Sequence, residues 1–542
     1  MLSNRLLISA AATLACLAKV INADHHLIVG AAVPSANDIP LRLNVNDLQA
    51  AAGPQWDLYI QALLAMQNMD YDDELSFFQT AGIHGKPFIE WDNSGPRQGW
   101  EWLGYCPHGE PLFLPWHRPY VLLFEEQLVR HACKIAAKYP DSVRDRYVAA
   151  AKCLRSPYWD WAADNAVPPA SVPATLTINV AGGSGVRNKS VTNPLQTFNI
   201  PQDVLNGRYG DFDGRSQTLR CPGPRYSYPD SADSNLRNRN LKGNLYAAFV
   251  YAQDFNQFSM TANNGVGLEQ IHNWIHYDAG CGEQFWQADL SGFDPLFMLH
   301  HTNVDRLWTY WQYIKPDQAI FTEDYYGESR WGSAENSTIT PDSPLQPFFD
   351  TQTQMHTTRS VAKIDGMGYS YKRLQYWNTS GEELQRAATA LINEAYGDGS
   401  QGTARRQDGS GSRMQYFAHF EVDRAHVERP STVTVFIEGV KAGDVTVMRQ
   451  PANGILKGGF MIDDLVRKAF SKTDGTNETV SSISNLVTLE VTKPDGTRIP
   501  ISSIPSLKLS LQEIPFTPAK SIEELPVLGK PVTFEIPAKE AA

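Results

Sequence analysis

Histidine carries the first chemical signal in this chain. Of its 13 histidines, four lie between His272 and Trp308, in a stretch otherwise apolar and aromatic. His272 and His276 are four apart, so a helix sets both imidazoles on one face, one turn apart. That is a ligand-pair spacing. The zinc-protease pattern HExxH needs a glutamate after the first histidine, and position 273 is Asn. His300 and His301 follow in DPLFMLHHTNVDRLW. Adjacent helical residues point about 100° apart, so one of the two joins a shared metal and the other packs beside it. A second trio lies upstream: His84 in AGIHGKP, His108 in YCPHGEP and His117 in LPWHRPY. Two sets of three imidazoles predict a pair of metals. All-imidazole ligation suits copper, with zinc, iron and nickel also compatible.

Ligands scattered this widely need helices that face one another, as in a bundle. Apolar periodicity predicts helices over 45–70, 118–137, 266–278 and 294–315, with Pro119 in the first turn of the second. Residues 165–240 are rich in Pro, Gly, Asn and Ser, and read as irregular loops. Near residue 396 the composition shifts to YGDGSQGTARRQDGSGSRM, a flexible linker. Beyond it, runs such as STVTVFIEGV and NLVTLEVTKPDGTRIPI alternate as strands do. The expected fold is mainly α, a four-helix bundle with long loops, followed by a small β-sandwich-like domain. The expected boundaries are a signal peptide at 1–18, a metal-binding domain at 24–385, a linker at 386–413 and the β domain at 414–542.

HRPYVLLFEEQL and DPLFMLHHTNVDRLW resemble the two signatures of the tyrosinase and hemocyanin (type 3 copper) family, over roughly residues 40–380. The likeness is greatest to the secreted members from filamentous fungi that carry a C-terminal domain. The resemblance implies one copper on His84, His108 and His117 and a second on His272, His276 and His301, with dioxygen as co-substrate. The resemblance favours His301 over His300, because the family motif places its ligand four residues before the aspartate that is here Asp305, and His300 is then a buried, hydrogen-bonded neighbour. The resemblance further implies a thioether between Cys106 and His108, outer support from Asp305 and Arg118, and a gate residue over the second copper at Ala288. Glu269 and Asn273 match a pair that holds the water deprotonating a phenol. Glu269 reads equally well as an acidic residue favoured in a first helical turn. Pro40-Leu41-Arg42 and Tyr369-Ser370-Tyr371 match a pair of tripeptides that tie the ends of the core through a cation–π contact.

The implied activity is o-hydroxylation of monophenols and oxidation of o-diphenols to o-quinones. The substrates are small phenols, including tyrosine residues of peptides or proteins. The alternatives are a catechol or o-aminophenol oxidase, a dioxygen carrier and, from the residues alone, a zinc hydrolase. The tail is expected to cover the copper entrance, with Phe460 a candidate for the side chain inserted there. Arg405-Arg406 in the linker reads as a dibasic cleavage site for a processing protease.

Bulk properties are consistent with that reading. The net charge is −12 without a long basic run, which argues against nucleic acid. The N-terminus has Arg5, a short apolar run and small residues, as a secretory signal does, and the run is too short to cross a bilayer. The mature chain is therefore expected to be extracellular, with no membrane partner. Sequons stand at Asn188, Asn336, Asn378 and Asn477. With Cys106 in a thioether, Cys133, Cys153, Cys221 and Cys281 remain for two disulfides of undetermined pairing.

Overall fold

The computed structural model describes residues 25–261, 265–397, 413–470 and 480–541. The expected signal peptide, Arg405, Arg406 and Asn477 lie outside them. Five helices organise the N-terminal part: α1 (Pro54–Gln67), α2 (Phe113–Ala136), α3 (Leu268–Gly280), α4 (Leu296–Ile314) and α5 (Gly381–Tyr396). No described helix is long and apolar enough to cross a membrane.

Local chemistry sets their ends, and several differ from expectation. The helix expected over 45–70 is two, because Gly53 takes φ +79° and Pro54 starts α1 afresh. α2 begins at Phe113, so Pro119 lies inside the helix and not in its first turn. The proline costs one backbone hydrogen bond, to the Pro115 carbonyl, in a 24-residue helix buried along most of its length. α3 stops where Cys281 enters the left-handed region at φ 55°, followed by Gly282 at φ 77°. α4 is buried on nearly every side. It is therefore the central post rather than an amphipathic surface helix.

α5 carries a capping box, Ser380 with Glu383, and its last residue, Tyr396, is buried against Asp160 and Arg306. The linker expected from 386 thus has helix through Tyr396, because the apolar positions Leu391, Ile392 and Tyr396 bury against the core. The loop-rich middle contains an antiparallel hairpin, Thr175–Ala181 with Val186–Thr192, and short helices at Gln202–Leu205 and Asp230–Arg237. Among the described residues one disulfide forms, Cys221–Cys281. The second expected bridge is not formed: Cys133 is buried within α2, and Cys153 is half-buried at the end of Asp141–Cys153.

The C-terminal region is a sandwich of two antiparallel sheets. In one, Arg413–Asp423 pairs with Ile455–Met461 and with Lys508–Thr517. In the other, Ser431–Ile437 pairs with Val440–Val447 and Val487–Thr492. The sandwich docks on α3. The Trp274 indole N–H donates to the Asp444 carbonyl at 2.9 Å, Gln270 Nε2 donates to the Gly459 carbonyl at 2.9 Å, and Arg239 bridges Asp278 and Asp444. The core closes its own ends without it. The Arg42 guanidinium lies 3.5 Å from the centre of the Tyr369 ring, and Leu41 pairs with Ser370.

Candidate metal centre

All six expected ligands are buried. α3 supplies His272 and His276, and α4 supplies His301. Their Nε2 atoms converge: His276 to His272 at 3.0 Å, His272 to His301 at 3.2 Å and His276 to His301 at 3.3 Å. Two of the rings are tied back through the other nitrogen. His276 Nδ1–H donates to the Phe285 carbonyl at 2.7 Å, and His272 Nδ1–H to Asn273 Oδ1 at 2.9 Å. With those protons on Nδ1, the Nε2 atoms aim lone pairs at one another. That arrangement repels unless a cation sits among them. Three nitrogens bound tetrahedrally at about 2.0–2.1 Å would stand about 3.3 Å apart, so this trio fits an ion.

The upstream set comes from looser elements. His84 follows the short helix Phe77–Gly82, His108 lies in a loop, and only His117 is on a long helix. Here too main-chain carbonyls hold the rings: His84 Nδ1–H donates to Ala288 and His117 Nδ1–H to Phe113, both at 2.7 Å. The Nε2 atoms of His84 and His117 are buried without a hydrogen-bond partner, and such orphaned acceptors call for a ligand. The His108 ring lies 5.4 Å from His84 and 5.7 Å from His117, centre to centre. His117 stacks on His301 at 4.4 Å and joins the two sets. Burial pushes the His84 imidazole down to about 4 and holds the other five well below the ordinary range. The neutral imidazole is the form that binds metal.

His300 also lies in the cluster, with a ring nitrogen within 4.8 Å of the ligand atoms of His272, His276 and His301, but one of its nitrogens is engaged elsewhere. The Trp161 indole N–H, a donor only, reaches its Nδ1 at 3.1 Å. Its own proton is therefore on Nε2, and neither nitrogen offers a free lone pair. Cys106 places Sγ 3.6 Å from His108 Nδ1.

Two expected roles change. Asp305 touches no imidazole. It accepts from Arg118 Nε at 2.6 Å, Arg42 Nη1 at 2.9 Å, Tyr371 at 2.6 Å and Tyr369 at 2.8 Å, so it anchors α4 to the chain ends. Burial pushes its carboxyl up, but Arg118 and Arg42 outweigh burial and hold it below the usual range. Ala288 contributes its main-chain carbonyl, which holds His84 of the first set. Phe460 does not enter the site. It is buried in the sandwich, its ring against Gly443. Arg424 and Pro451 of the C-terminal region lie against Gly109, next to His108: a Cβ there would stand 2.9 Å from Arg424 Nη2 and 3.2 Å from Pro451 Cγ. Gly109, at φ +72°, leaves that space.

Glu269, in the first turn of α3, accepts from the Gly109 N–H at 2.6 Å and the Thr261 N–H at 3.0 Å. Burial pushes its carboxyl up to about 7. Sequence reasoning missed the carbonyls of Phe113, Phe285 and Ala288, which carry no residue-type signal. It also missed Phe297, stacked on His301 at 4.1 Å. The i, i+4 spacing from Phe297 to His301 could have found that contact.

Residues 74–314 match the common central domain of tyrosinase. The chain is 35% identical over 387 residues to a tyrosinase of Podospora anserina, covering 66% of this chain and 66% of that protein, just under two thirds of its length. It is 33% identical over 390 residues to polyphenol oxidase 2 of Agaricus bisporus, covering 69% of each. Recombinant mushroom tyrosinase shares the fold with a TM-score of 0.81 at 23% identity, over 95% of this chain and 100% of that one. By these matches and by its two histidine trios, the chain belongs to the tyrosinase family.

Proposed function

We propose that this chain is a secreted, latent copper phenol oxidase that uses dioxygen to hydroxylate monophenols at the ortho position and to oxidise o-diphenols to o-quinones. One observation carries the reading: two adjacent trios of buried imidazoles, most of them tied back through Nδ1. His84, His108 and His117 would hold one copper, and His272, His276 and His301 the other. When bound, the copper pair supplies the dioxygen-dependent redox chemistry that no side chain here provides.

The chain's own residues prepare the site for it. The Phe113, Phe285 and Ala288 carbonyls fix three rings and keep their Nε2 lone pairs inward. Phe297, Phe285 and Phe113 pack their rings against the imidazoles and give the site an apolar wall. Asn273 orients His272, and Glu269, poised near neutrality, takes the phenolic proton, directly or through a water. A Cys106–His108 thioether would fix the one first-set ring for which no carbonyl contact is seen. The seated C-terminal region blocks the approach, and cleavage at Arg405-Arg406 releases it. Asn188, Asn336 and Asn378 are exposed and open to glycans. Small phenols, tyrosine side chains of peptides or proteins included, are the substrates.

A diphenol-only oxidase gains from one observation. Both carboxylate oxygens of Glu269 already accept protein N–H groups, which reduces its capacity to hold a base water. Copper analysis and oxygen-uptake assays with a monophenol and a catechol, before and after cleavage between 398 and 412, test both readings. The expected result is two coppers per chain and turnover of both phenols that rises on cleavage. Turnover of catechol alone selects the diphenol-only reading, and zinc without copper sinks both.

A further inference from the structure

One edge of the C-terminal sandwich is satisfied by the core, through the strand's main chain. Ile455–Met461 is the outermost strand of its sheet, paired on one side with Arg413–Asp423. Its other side turns the N–H of every second residue toward three separate core segments. The Lys457 N–H donates to the Thr261 carbonyl at 2.8 Å. The Gly459 N–H donates to Gln270 Oε1 at 3.2 Å, and Gln270 Nε2 returns a bond to the Gly459 carbonyl at 2.9 Å. The Met461 N–H donates to Asn244 Oδ1, on the helix Leu241–Tyr251, at 3.0 Å. Asn244 is held in that sense by its own Nδ2, which donates to the Asn240 carbonyl at 2.8 Å. No bond in this set uses a side chain of the strand. A Cβ on Gly458 would press on Gln270 Oε1, so glycine fits best at that point. This is how a sheet edge takes up an extended polypeptide, with amide side chains standing in for the neighbouring strand. The seat borders the metal centre. The Thr261 N–H and hydroxyl both donate to Glu269, which fastens the loop of His108 through Gly109, and Gln270 stands two residues before His272. Gln270 and Asn244 are 1% and 4% exposed with the strand in place. Once it leaves, two amides and a carbonyl lose these partners and stand ready for another main chain.

We propose that the core face vacated by Ile455–Met461 binds an extended, glycine-containing polypeptide, so that the cleaved enzyme takes tyrosines in unstructured protein segments ahead of free phenols. The proposal rests on the monophenol-hydroxylating reading above. A segment docked on the seat holds its neighbouring tyrosines at high local concentration beside the metal centre. Because the seat reads backbone, the sequence around the tyrosine matters little beyond the glycine.

The test compares two neutral substrates on the copper-loaded full chain after cleavage between 398 and 412, with both pieces left in the assay. One is N-acetyltyrosine amide. The other is a glycine- and serine-rich peptide that carries one tyrosine and is long enough to lay the strand's seven residues on the seat. The expected kcat/KM for the peptide exceeds that for the amide by about tenfold, since each main-chain bond adds only modestly in water. The gap should lie mainly in KM. Methylating the peptide nitrogens should abolish it, and Asn244→Ala should reduce it severalfold, with the amide as the internal reference for folding and copper. Equal values for the two substrates, or an advantage that survives either change in full, overturns the proposal. A second measurement is independent of turnover. A fluorescent peptide with phenylalanine in place of tyrosine should bind the cleaved protein by anisotropy, and its N-methylated counterpart should not. Binding of neither, or of both alike, overturns the seat. Failure to oxidise N-acetyltyrosine amide, with selective peptide binding intact, instead overturns the monophenol-hydroxylating reading.

Discussion

The two histidine trios present the same ligand type by different means. The downstream set rests on two long helices, and its Nε2 atoms already lie 3.0–3.3 Å apart. The upstream set takes two of its three rings from a short helix end and a loop, and its ring centres stand 5.4–5.7 Å apart, against 4.5–5.5 Å for the ring centres downstream. A helix supplies register at no extra cost, because i and i+4 share a face. A loop must be held from outside. Ala288 holds His84 from 204 residues away, Cys106 flanks His108, and Glu269 fastens the Gly109 N–H beside it. Thus α3 serves both sets: it donates two ligands to one and pins the loop of the other.

The largest effect should come from breaking the helical set. His276→Ala is expected to lose about one copper of two and to reduce phenol turnover by more than the roughly hundredfold typical of outer-shell changes. His300→Phe, one position before a ligand, should retain both coppers by elemental analysis. If it loses one, the argument that Trp161 occupies its acceptor nitrogen is wrong. Next is the anchor of α4. Asp305→Ala leaves Arg42 and Arg118 buried without their shared carboxylate and should cost about 3–5 kcal/mol. Denaturant unfolding of the copper-free protein measures that cost. A loss below 1 kcal/mol would mean that Glu125 and the tyrosines satisfy both guanidiniums alone.

The same contrast decides how much could be read in advance. The choice of His301 came from the family resemblance, whereas His272, His276 and the His300–His301 pair were legible as a cluster because helical spacing and an apolar setting are properties of the local sequence. So was the tie of Arg42 to Tyr369, through two tripeptides placed at the ends of the core. Asp305 was recognised together with its partner Arg118, but it was expected to support a ring, and its other partners Arg42 and Tyr371, remote in sequence, were missed. Ala288 acts through a carbonyl, which every residue has, so its type said nothing. Phe460 sits beside Gly458 and Gly459, which suggested a loop tip. Gly459 instead faces His419 across the strand pair, and the alternation of the strand turns Phe460 into the sandwich. The extent of α5 was hidden because a Gly-rich segment follows it at once.

Glu269 gives a pH test of how α3 pins the loop. Its carboxyl is raised by burial from the usual range to about 7. In the folded chain it keeps its proton between about pH 4.5 and 7, while the unfolded chain has released it. Stability from this group is therefore fully present below about pH 4.5 and is lost as pH rises through about 7. The upper bound is on the order of 3 kcal/mol. The Glu269→Gln difference in unfolding free energy, measured from pH 4.5 to 8, should drift in favour of Gln as pH rises. A flat difference would mean that the Gly109 and Thr261 N–H groups already hold the carboxylate charged.

The smallest effect sharpens the contrast most. If a loop-borne ring needs a covalent tether where helix-borne rings do not, Cys106→Ser should weaken the upstream copper and leave the downstream one in place. Retention of one copper per chain under a mild chelator, with about tenfold weaker hold on the other, is the expected outcome. Mass analysis of the copper-loaded parent supplies the direct evidence, since the peptide containing Cys106 and His108 should be two hydrogens lighter than its sequence requires. An unshifted mass, with the chelator profile unchanged in Cys106→Ser, would leave packing alone to orient His108. The two trios would then differ in origin but not in how they are held.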